Sequence, residues 1–312
     1  MNVVSLFGVM PVSKATIIGA GNLGSCISYE VANRGLVDEL VLIDVYGELA
    51  EGNAEDIKQA LAFRNNTEVY AGDYDDAKGS DLIVVTAGKP RTPDMKSRTE
   101  LLKVNRAIVE DVASRIKSVE GDFPVMTLTN PVDLMTFLMW KHTSFERNRI
   151  LGSAGQLDSS RFRVALSRRY GVPVRDIEAY VIGEHGEDQV PVFSKVRSRG
   201  KEQRFTRKER EEIKNEIKES ALRVISKKGA TIFAPANNTA DAVESILRDE
   251  KRLATCSVIL SGEYGLSDLS IGVPVILGRR GAERILEWDL DEDEKEVFYR
   301  GAGKIKEMLL EE

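Results

Sequence analysis

A glycine-rich turn near the start of the chain restricts the folds open to it. The segment Gly19-Ala20-Gly21-Asn22-Leu23-Gly24 follows a short apolar run, residues 15–18, and precedes a stretch with helical periodicity. Glycines at this spacing allow a tight turn and let a pyrophosphate approach the N-terminus of the next helix. The hexapeptide alone is weak support, because glycine turns also occur without a ligand. Between a strand and a helix, it predicts a dinucleotide-binding unit.

An acidic residue after the next apolar run strengthens this prediction. Asp44 follows the apolar residues 40–43 and lies twenty residues after Gly24. A carboxylate at this place can accept hydrogen bonds from both ribose hydroxyls of a dinucleotide, and it repels a 2′-phosphate. The residues that follow, Val45 and Tyr46, offer no cation to such a phosphate. We therefore expect NAD rather than NADP, bound by Gly19, Gly21, Asn22, Leu23, Gly24 and Asp44.

The order of apolar segments predicts the fold class. Near-continuous hydrophobic runs are typical of parallel strands covered by helices on both faces, and they occur at residues 15–18, 40–43, 82–85 and 125–128. Amphipathic segments lie between them. This alternation predicts an α/β fold, a Rossmann doubly wound parallel sheet followed by a mixed α+β substrate-binding and catalytic domain. The first domain would span residues 1–143 and the second 144–312.

The second half of the chain differs in pattern from the first. A helix is predicted at 157–170, and another begins at the capping box that Thr206 and Glu209 form. Two strands, 253–260 and 270–277, flank a glycine-containing turn, and a helix follows. At the other end of the chain, residues 1–13 form an N-terminal extension without the features of a secretory signal. This extension is interpreted either as a frayed terminus or as an arm packed on a neighbouring subunit.

Composition excludes several classes of protein. A net charge of −6 argues against a nucleic-acid partner, and no apolar run is long enough to span a membrane. Cys26 and Cys256 fit small core residues in a reducing cytoplasm, and their spacing matches no zinc site. The many Glu, Lys and Arg residues beside few Gln are typical of a thermophilic source. The expected partner is a small molecule.

Two motifs in the second half carry a specific chemistry. Leu157-Asp158-Ser159-Ser160-Arg161 supplies a carboxylate and a guanidinium, and Ile182-Gly183-Glu184-His185-Gly186 supplies one of only two histidines in the chain. Arg161 can bind a planar carboxylate with two parallel hydrogen bonds. His185 can give a proton to an adjacent carbonyl oxygen while Asp158 orients the imidazole and favours its charged form. These groups suit the reduction of a 2-oxo acid by a nicotinamide cofactor.

A metal site is the competing interpretation of the residues around His185. Three acidic residues lie near it in the sequence, Glu184, Glu187 and Asp188. A second imidazole or a thiolate at ligand spacing is missing, so we expect no metal. The other histidine, His142, follows a predicted helix at 132–140 and is expected at the surface or at an interface.

Polar residues at the ends of two further predicted strands complete the expected cofactor site. Thr86-Ala87-Gly88 and Thr129-Asn130-Pro131 follow the third and fourth apolar runs, and ligands of such sheets gather at the carboxyl ends of strands. Asn130 could hydrogen-bond a substrate oxygen or the carboxamide of nicotinamide. The alternative is an ordinary turn, which Asn-Pro also favours.

Taken in order and spacing, these segments resemble the L-lactate/L-malate dehydrogenases, particularly the lactate-dehydrogenase-like malate dehydrogenases of archaea and bacteria. The likeness extends from Lys14 onward and rests on the glycine turn, Asp44, Val85-Thr86-Ala87-Gly88, Arg98, Thr129-Asn130-Pro131-Val132-Asp133, and the two motifs around Asp158 and His185. It implies the oxidation of (S)-malate to oxaloacetate with NAD, as in the tricarboxylic acid cycle, by a cytoplasmic dimer or tetramer.

The resemblance also implies residue roles. His185 would be the proton donor, Asp158 its partner, and Arg161 the carboxylate anchor. Arg98 would polarise the substrate carbonyl from a mobile loop. Asn105 would lie at the cofactor site, and Thr231 with Pro235 would border the substrate pocket.

Substrate choice is assigned by the resemblance to the loop between Gly88 and Arg98. Arg91 matches the position where malate dehydrogenases carry arginine and lactate dehydrogenases carry glutamine, so it would bind the second carboxylate of oxaloacetate. The loop departs from the family pattern, because Pro93-Asp94-Met95-Lys96-Ser97-Arg98 is one residue longer than usual and lacks a glycine. This leaves Lys96 or Arg106 as alternative selecting cations.

Two rival functions stay open. The first is another L-2-hydroxy-acid dehydrogenase, for lactate or for sulfolactate, since arginine also pairs with a sulfonate. The second is a catalytically silent NAD-binding protein. The presence of Asp158, Arg161, His185 and Arg98 together argues against this second reading.

Overall fold

The first half of the chain forms the parallel part of a large sheet. The structure is a computed structural model that describes residues 13–89 and 98–310, without the side chains of residues 98–100. The strands in the order β3-β2-β1-β4-β5-β6 all run parallel. They are β1 (Lys14–Ile18), β2 (Glu39–Ile43), β3 (Glu68–Ala71), β4 (Leu82–Val85), β5 (Val125–Thr127) and β6 (Ile150–Gly152). This is the doubly wound dinucleotide-binding order, which confirms the predicted fold class.

Helices cover both faces of this sheet. Neighbouring residues of one strand belong to different cores, because successive side chains point to opposite faces: Ile17 packs in one cluster and Ile18 in the other. Both side chains are almost fully buried. The covering helices are α1 (Asn22–Asn33), α2 (Gly47–Leu61), α3 (Arg98–Ser118) and α4 (Val132–Thr143).

The second half extends the same sheet with antiparallel strands. Next to β6 come β12 (Arg252–Ser261) and β13 (Ser267–Gly278), followed by β8 (Val181–Gly183) and β9 (Gln189–Pro191), while β14 (Gly281–Ile285) pairs with β13. A small separate sheet contains β7 (Ile177–Glu178), β10 (Arg197–Ser198) and β11 (Lys201–Glu202). The helices of this half are α5 (Gly155–Tyr170), α6 (Arg207–Lys228), α7 (Phe233–Leu247) and α8 (Glu292–Leu310).

The observed elements lie close to the predicted ones. The capping box at the start of α6 forms, with the Glu209 amide donating to the Thr206 hydroxyl and the Glu209 carboxylate accepting from the Thr206 amide. Cys256 is buried in β12, and Cys26 is partly buried in α1. Strand β6 follows residue 143, yet it pairs in parallel with β5. The sheet is therefore continuous across the expected domain boundary.

Hydropathy of the helices bears on the membrane prediction. Within residues 13–89 and 98–310, no helix is both long enough and apolar enough for a membrane span. The interpretation of the N-terminal extension falls on residues 1–12, which lie outside the described residues.

Candidate active site

The glycine turn has the geometry of a cradle whose shape excludes side chains. Gly19 has φ +102°, and a Cβ there would come within 2.6 Å of the Ala87 backbone nitrogen. A Cβ on Gly24 would lie 1.8 Å from the Gly19 carbonyl oxygen. At Gly21, which caps α1, a Cβ would meet nothing within 4 Å. The loop is thus closed on the protein side and open above Gly21, as a pyrophosphate at the N-terminus of α1 requires.

Side chains from three other elements hold this turn in place. The Asp44 carboxylate, at the end of β2, accepts hydrogen bonds from the backbone amides of Ala20 at 2.7 Å and Tyr46 at 2.9 Å. The Thr86 hydroxyl donates to the Gly19 carbonyl at 2.7 Å. The Asn53 amide on α2 donates to the Ala20 carbonyl at 2.8 Å. Asp44 therefore lies beside the turn. If a dinucleotide bound with its pyrophosphate at the turn, the adjoining ribose would lie next to Asp44.

The ends of β4 and β5 are joined through Asn105. Its side-chain oxygen accepts from the Lys89 amide at 2.8 Å, and its nitrogen donates to the Asn130 carbonyl at 2.9 Å. The Thr129 hydroxyl donates to the Ala87 carbonyl at 2.6 Å. Asn105 is buried and engaged in these contacts, whereas Asn130 is exposed at the strand end. Gly88 is needed here, since its Cβ would lie 2.7 Å from the Thr129 methyl.

The residues of the two predicted chemical motifs come together. The Asp158 carboxylate contacts His185 Nδ1 at 2.6 Å through Oδ2 and accepts from Arg161 Nη1 at 3.0 Å through Oδ1. Asp158 is only 3% exposed. The first turn of α5 carries Asp158 three residues before Arg161, which places both on one side of the helix. Since Nδ1 is engaged by Asp158, Nε2 is the ring atom that can serve a substrate.

The surroundings of His185 favour its protonated form. Burial lowers the pKa of the imidazole, but the Asp158 carboxylate and the Asp133 carboxylate raise it, and the net pKa lies above the ordinary value. The Arg161 guanidinium opposes them. The imidazolium is the form that donates a proton, so the site is suited to act as a general acid near neutral pH.

Asp158, Arg161 and His185 line a cavity of about 610 Å³. Strand β9 contributes Gln189 and Val190 to its wall. Helices α6 and α8 contribute further lining residues, among them Lys214 and Arg300. The volume is ample for a small organic acid.

Several predicted residues lie elsewhere or beyond description. Arg91 falls outside the described residues, as does Lys96. Arg98 is the first residue of α3, and its side chain is not described. Thr231 precedes α7 and is partly buried, and the described part of the cavity wall does not include it.

The remaining candidates concern metals and the second histidine. His142 lies on α4 with Nε2 at 3.5 Å from a Glu110 carboxylate oxygen. Within the described ranges, no group of three or more His, Cys, Asp or Glu side chains is placed to hold a metal ion.

Two contributors were not assigned a role from the sequence. Asn53 supports the glycine turn, and Asp133 accepts a hydrogen bond from the His185 backbone amide at 2.8 Å. Asp133 stood within a recognised motif, but nothing in the sequence tied it to His185. Nothing in the sequence distinguished Asn53 from the other polar residues of α2.

Comparison with known proteins identifies the class. Residues 13–152 match the lactate/malate dehydrogenase NAD binding domain, and residues 155–311 match the lactate/malate dehydrogenase alpha/beta C-terminal domain. The chain therefore belongs to the lactate/malate dehydrogenase family. It is an NAD-dependent oxidoreductase, so the predicted family, enzyme class and cofactor are confirmed.

Individual relatives sharpen the placement within this family. The chain is 44% identical to the malate dehydrogenase of Halobacterium salinarum over 296 residues, which cover 94% of this chain and 97% of that protein. It is 37% identical to an L-lactate dehydrogenase of Thermoanaerobacter over 312 residues, covering 96% and 99%. The crystal structure of the minor L-lactate dehydrogenase of Enterococcus mundtii matches with a TM-score of 0.92 at 30% identity, covering 96% of this chain and 98% of that one.

Proposed function

We propose that this protein is a malate dehydrogenase that interconverts (S)-malate and oxaloacetate with NAD. The observation that carries the proposal is the contact of Asp158 with both His185 and Arg161 in the wall of one cavity. Malate dehydrogenases stand among its most similar relatives, at 38–44% identity. We expect the domain of residues 1–143 to bind the dinucleotide and the domain of residues 144–312 to bind the substrate.

The residues divide the chemistry between them. Arg161 binds the carboxylate next to the reacting carbon, which fixes the orientation of the substrate. His185 donates its Nε2 proton to the carbonyl oxygen as negative charge develops there, and Arg98 stabilises the same oxygen. Asp158 holds the imidazole in place and favours its charged form. In the opposite direction, neutral His185 removes the hydroxyl proton of malate.

The cofactor fits the cradle that the described residues form. Gly19, Gly21 and Gly24 would admit the pyrophosphate, Asp44 would accept from the ribose hydroxyls, and Asn130 would face the nicotinamide end. When bound, NADH supplies the hydride for the substrate carbon. Asn22, Leu23, Thr86, Ala87 and Gly88 would form the wall of this site, and Asn105 would support it through its hydrogen bond to the Asn130 carbonyl.

Arg91 selects the substrate in this account. Its guanidinium would pair with the second carboxylate of oxaloacetate when the loop closes. With pyruvate the same guanidinium would be left unpaired beside a methyl group, at a cost on the order of a few kcal/mol. Thr231 would complete the pocket from the segment before α7.

A panel of steady-state assays tests this function. NADH oxidation is followed at 340 nm with oxaloacetate, pyruvate and sulfopyruvate, and each is repeated with NADPH. The proposal predicts rapid turnover only with oxaloacetate and NADH. A preference for pyruvate or sulfopyruvate would replace malate by lactate or sulfolactate as the substrate, and no turnover with any acid would favour a silent NAD-binding protein.

We further propose that the protein is a homo-oligomer, a dimer or a tetramer, of the cytoplasm. Large apolar side chains exposed near the junction of α6 and α7 support an assembly, notably Phe233 at 71% exposure and Leu222 at 57%. Light scattering coupled to gel filtration measures the mass directly, and a monomer of 34.6 kDa would contradict the proposal.

The thermophilic source predicted from composition would show as a melting temperature well above that of ordinary proteins.

A further inference from the structure

Asp133 joins four elements immediately behind the catalytic histidine. It lies in the first turn of α4, three residues after Asn130. One carboxylate oxygen accepts from the His185 backbone amide at 2.8 Å, and the other accepts from the Ser257 hydroxyl of β12 at 2.7 Å. The Ser270 hydroxyl of β13 donates to the Asp133 backbone carbonyl. The residue therefore ties the loop after β8, which carries His185, to α4 and to the central sheet.

Structural support alone does not require a charge at this position. An asparagine has the same shape, and its oxygen could accept from the His185 amide while its nitrogen donated to the Ser257 hydroxyl. The charge is also unfavourable, because Asp133 is only 4% exposed. Burial raises the pKa of Asp133 to about 6, although hydrogen bonds from Ser257 and His185 act to lower it. Because an asparagine could make these hydrogen bonds without the cost of burying a charge, a carboxylate at this position indicates that the charge itself has a function.

The Asp133 carboxylate also acts electrostatically on the His185 imidazole. Asp158 of α5 is the nearest acid, and Asp133 of α4 is a second acid that favours the protonated ring. Arg161 of α5 lowers the pKa of the imidazole and so opposes both acids. Glu184, which precedes His185 in the chain, raises the pKa of Asp133. In the described part of the chain, four cations line the cavity from α6 and α8. Arg210 pairs with Asp291, Lys214 with Glu211 and Arg300 with Asp188, and the fourth is Lys218 of α6.

We propose that Asp133 is a positioning residue for His185, which holds the backbone of the histidine and supplies a second negative charge that keeps its imidazole protonated for proton donation. This inference rests on the proposed role of His185 as the proton donor. Asp133 does not touch the substrate in this account. It acts through His185 and is not among the residues that line the described cavity.

The test compares Asp133→Asn with Ser270→Ala. The first change removes the charge and keeps both hydrogen bonds, whereas the second removes one hydrogen bond at the same junction and keeps the charge. For oxaloacetate reduction, the alkaline limb of kcat/KM should move to lower pH in Asp133→Asn, with a loss on the order of threefold to tenfold at pH 8. Well below pH 6 the wild-type carboxyl is itself largely protonated, so the two proteins should converge. Ser270→Ala should keep the wild-type profile.

A spectroscopic measurement separates this inference from the proposed function. Because the chain has only two histidines, ¹⁵N-histidine labelling gives His185 a resolved signal, with His142 as internal reference. In Asp133→Asn the ring of His185 should titrate at lower pH whether or not the enzyme turns over. An unshifted ring titration together with an unshifted pH profile would reduce Asp133 to a purely structural residue.

The wild-type protein offers a further check if Asp133→Asn does not fold. The His185 backbone amide donates directly to Asp133, so its chemical shift should report the ionisation of that carboxyl with an inflection near pH 6. An inflection only above pH 8 would mean that the carboxyl is uncharged where the effect on His185 is expected, and this would overturn the inference. Failure of wild-type turnover with every substrate would instead overturn the proposed function and leave the two titrations interpretable.

Discussion

The cofactor cradle and the acid cluster around His185 are built in different ways. The cradle is formed by contiguous residues, and its shape depends on missing side chains: a Cβ on Gly24 would collide with the Gly19 carbonyl. The cluster is formed by side chains from distant parts of the chain, and its function depends on charge, since Asp158 and Asp133 both favour protonation of His185. Damage to the cradle should therefore be independent of pH, and damage to the cluster should depend on it.

The largest effect is expected from Gly24→Ala in the cradle. The added Cβ would lie 1.8 Å from the Gly19 carbonyl oxygen, so the turn must open. We expect NADH binding to be lost and the free energy of unfolding to fall on the order of 3 kcal/mol, equally at pH 6 and pH 8. Calorimetric titration and thermal melting measure both quantities.

A glycine on a neighbouring helix supplies the control. A Cβ on Gly52 of α2 would meet nothing within 4 Å, and this position is exposed, so Gly52→Ala should bind NADH normally and melt no lower than wild type. Normal NADH binding by Gly24→Ala would contradict the steric account of the cradle.

Asp158→Asn tests the charge-dependent region. Without the carboxylate, burial still lowers the pKa of His185, while its main opposing charge is gone. Turnover of oxaloacetate should fall about 100-fold or more at pH 8. The loss should be smaller at pH 6, because a larger fraction of His185 is protonated at the lower pH. Asp176→Asn is a matched control, since Asp176 also pairs with an arginine, Arg199 at 3.1 Å, but far from the cavity in the small sheet region. A loss that is equal at both pH values would show that Asp158 acts by position alone.

Substrate preference should respond to Arg91→Gln. Removing the guanidinium removes the partner of the second carboxylate, and the ratio of kcat/KM for oxaloacetate to that for pyruvate should drop on the order of 100-fold. Lys96→Gln and Arg106→Gln are the comparison variants. If one of these changed the ratio and Arg91→Gln did not, the longer loop would place a different cation at the substrate.

The smallest effect concerns stability at Asp133. A folded-state pKa raised from 3.8 to about 6 means that the folded protein holds this proton more tightly, so stability is lost as pH rises through about 6. Asp133→Asn should melt a few degrees higher than wild type at pH 8 and show little difference at pH 4. A lower melting temperature at pH 8 would mean that the charge itself stabilises the fold.

The two regions also differ in how far the sequence predicts them. The cradle is local: a glycine pattern, the strand before it and the acid after it predict its place and ligand class without other parts of the chain. Asp158 and Arg161 lie on one helix, so their proximity was equally predictable. Their contact with His185, 27 residues from Asp158, followed only from the family resemblance and the chemistry of the groups.

Contacts made by tertiary packing were beyond prediction. Asn53 supports the turn from a helix 33 residues away, and Asp133 meets Ser257 across 124 residues. The two-residue strands of the small sheet, such as β7 (Ile177–Glu178), depend on pairing with distant partners and have no periodicity of their own. Such features depend on long-range packing, which a sequence pattern does not encode directly.

His185→Asn separates proton donation from cofactor binding. NADH affinity is measured by fluorescence and oxaloacetate turnover by absorbance at 340 nm on the same preparation. If His185 is the proton donor and the cradle is a separate structure, NADH should bind as in wild type while turnover falls on the order of 100-fold to 10,000-fold. Turnover equal to wild type would contradict the assignment of the acid, and loss of NADH binding would contradict the independence of the two regions.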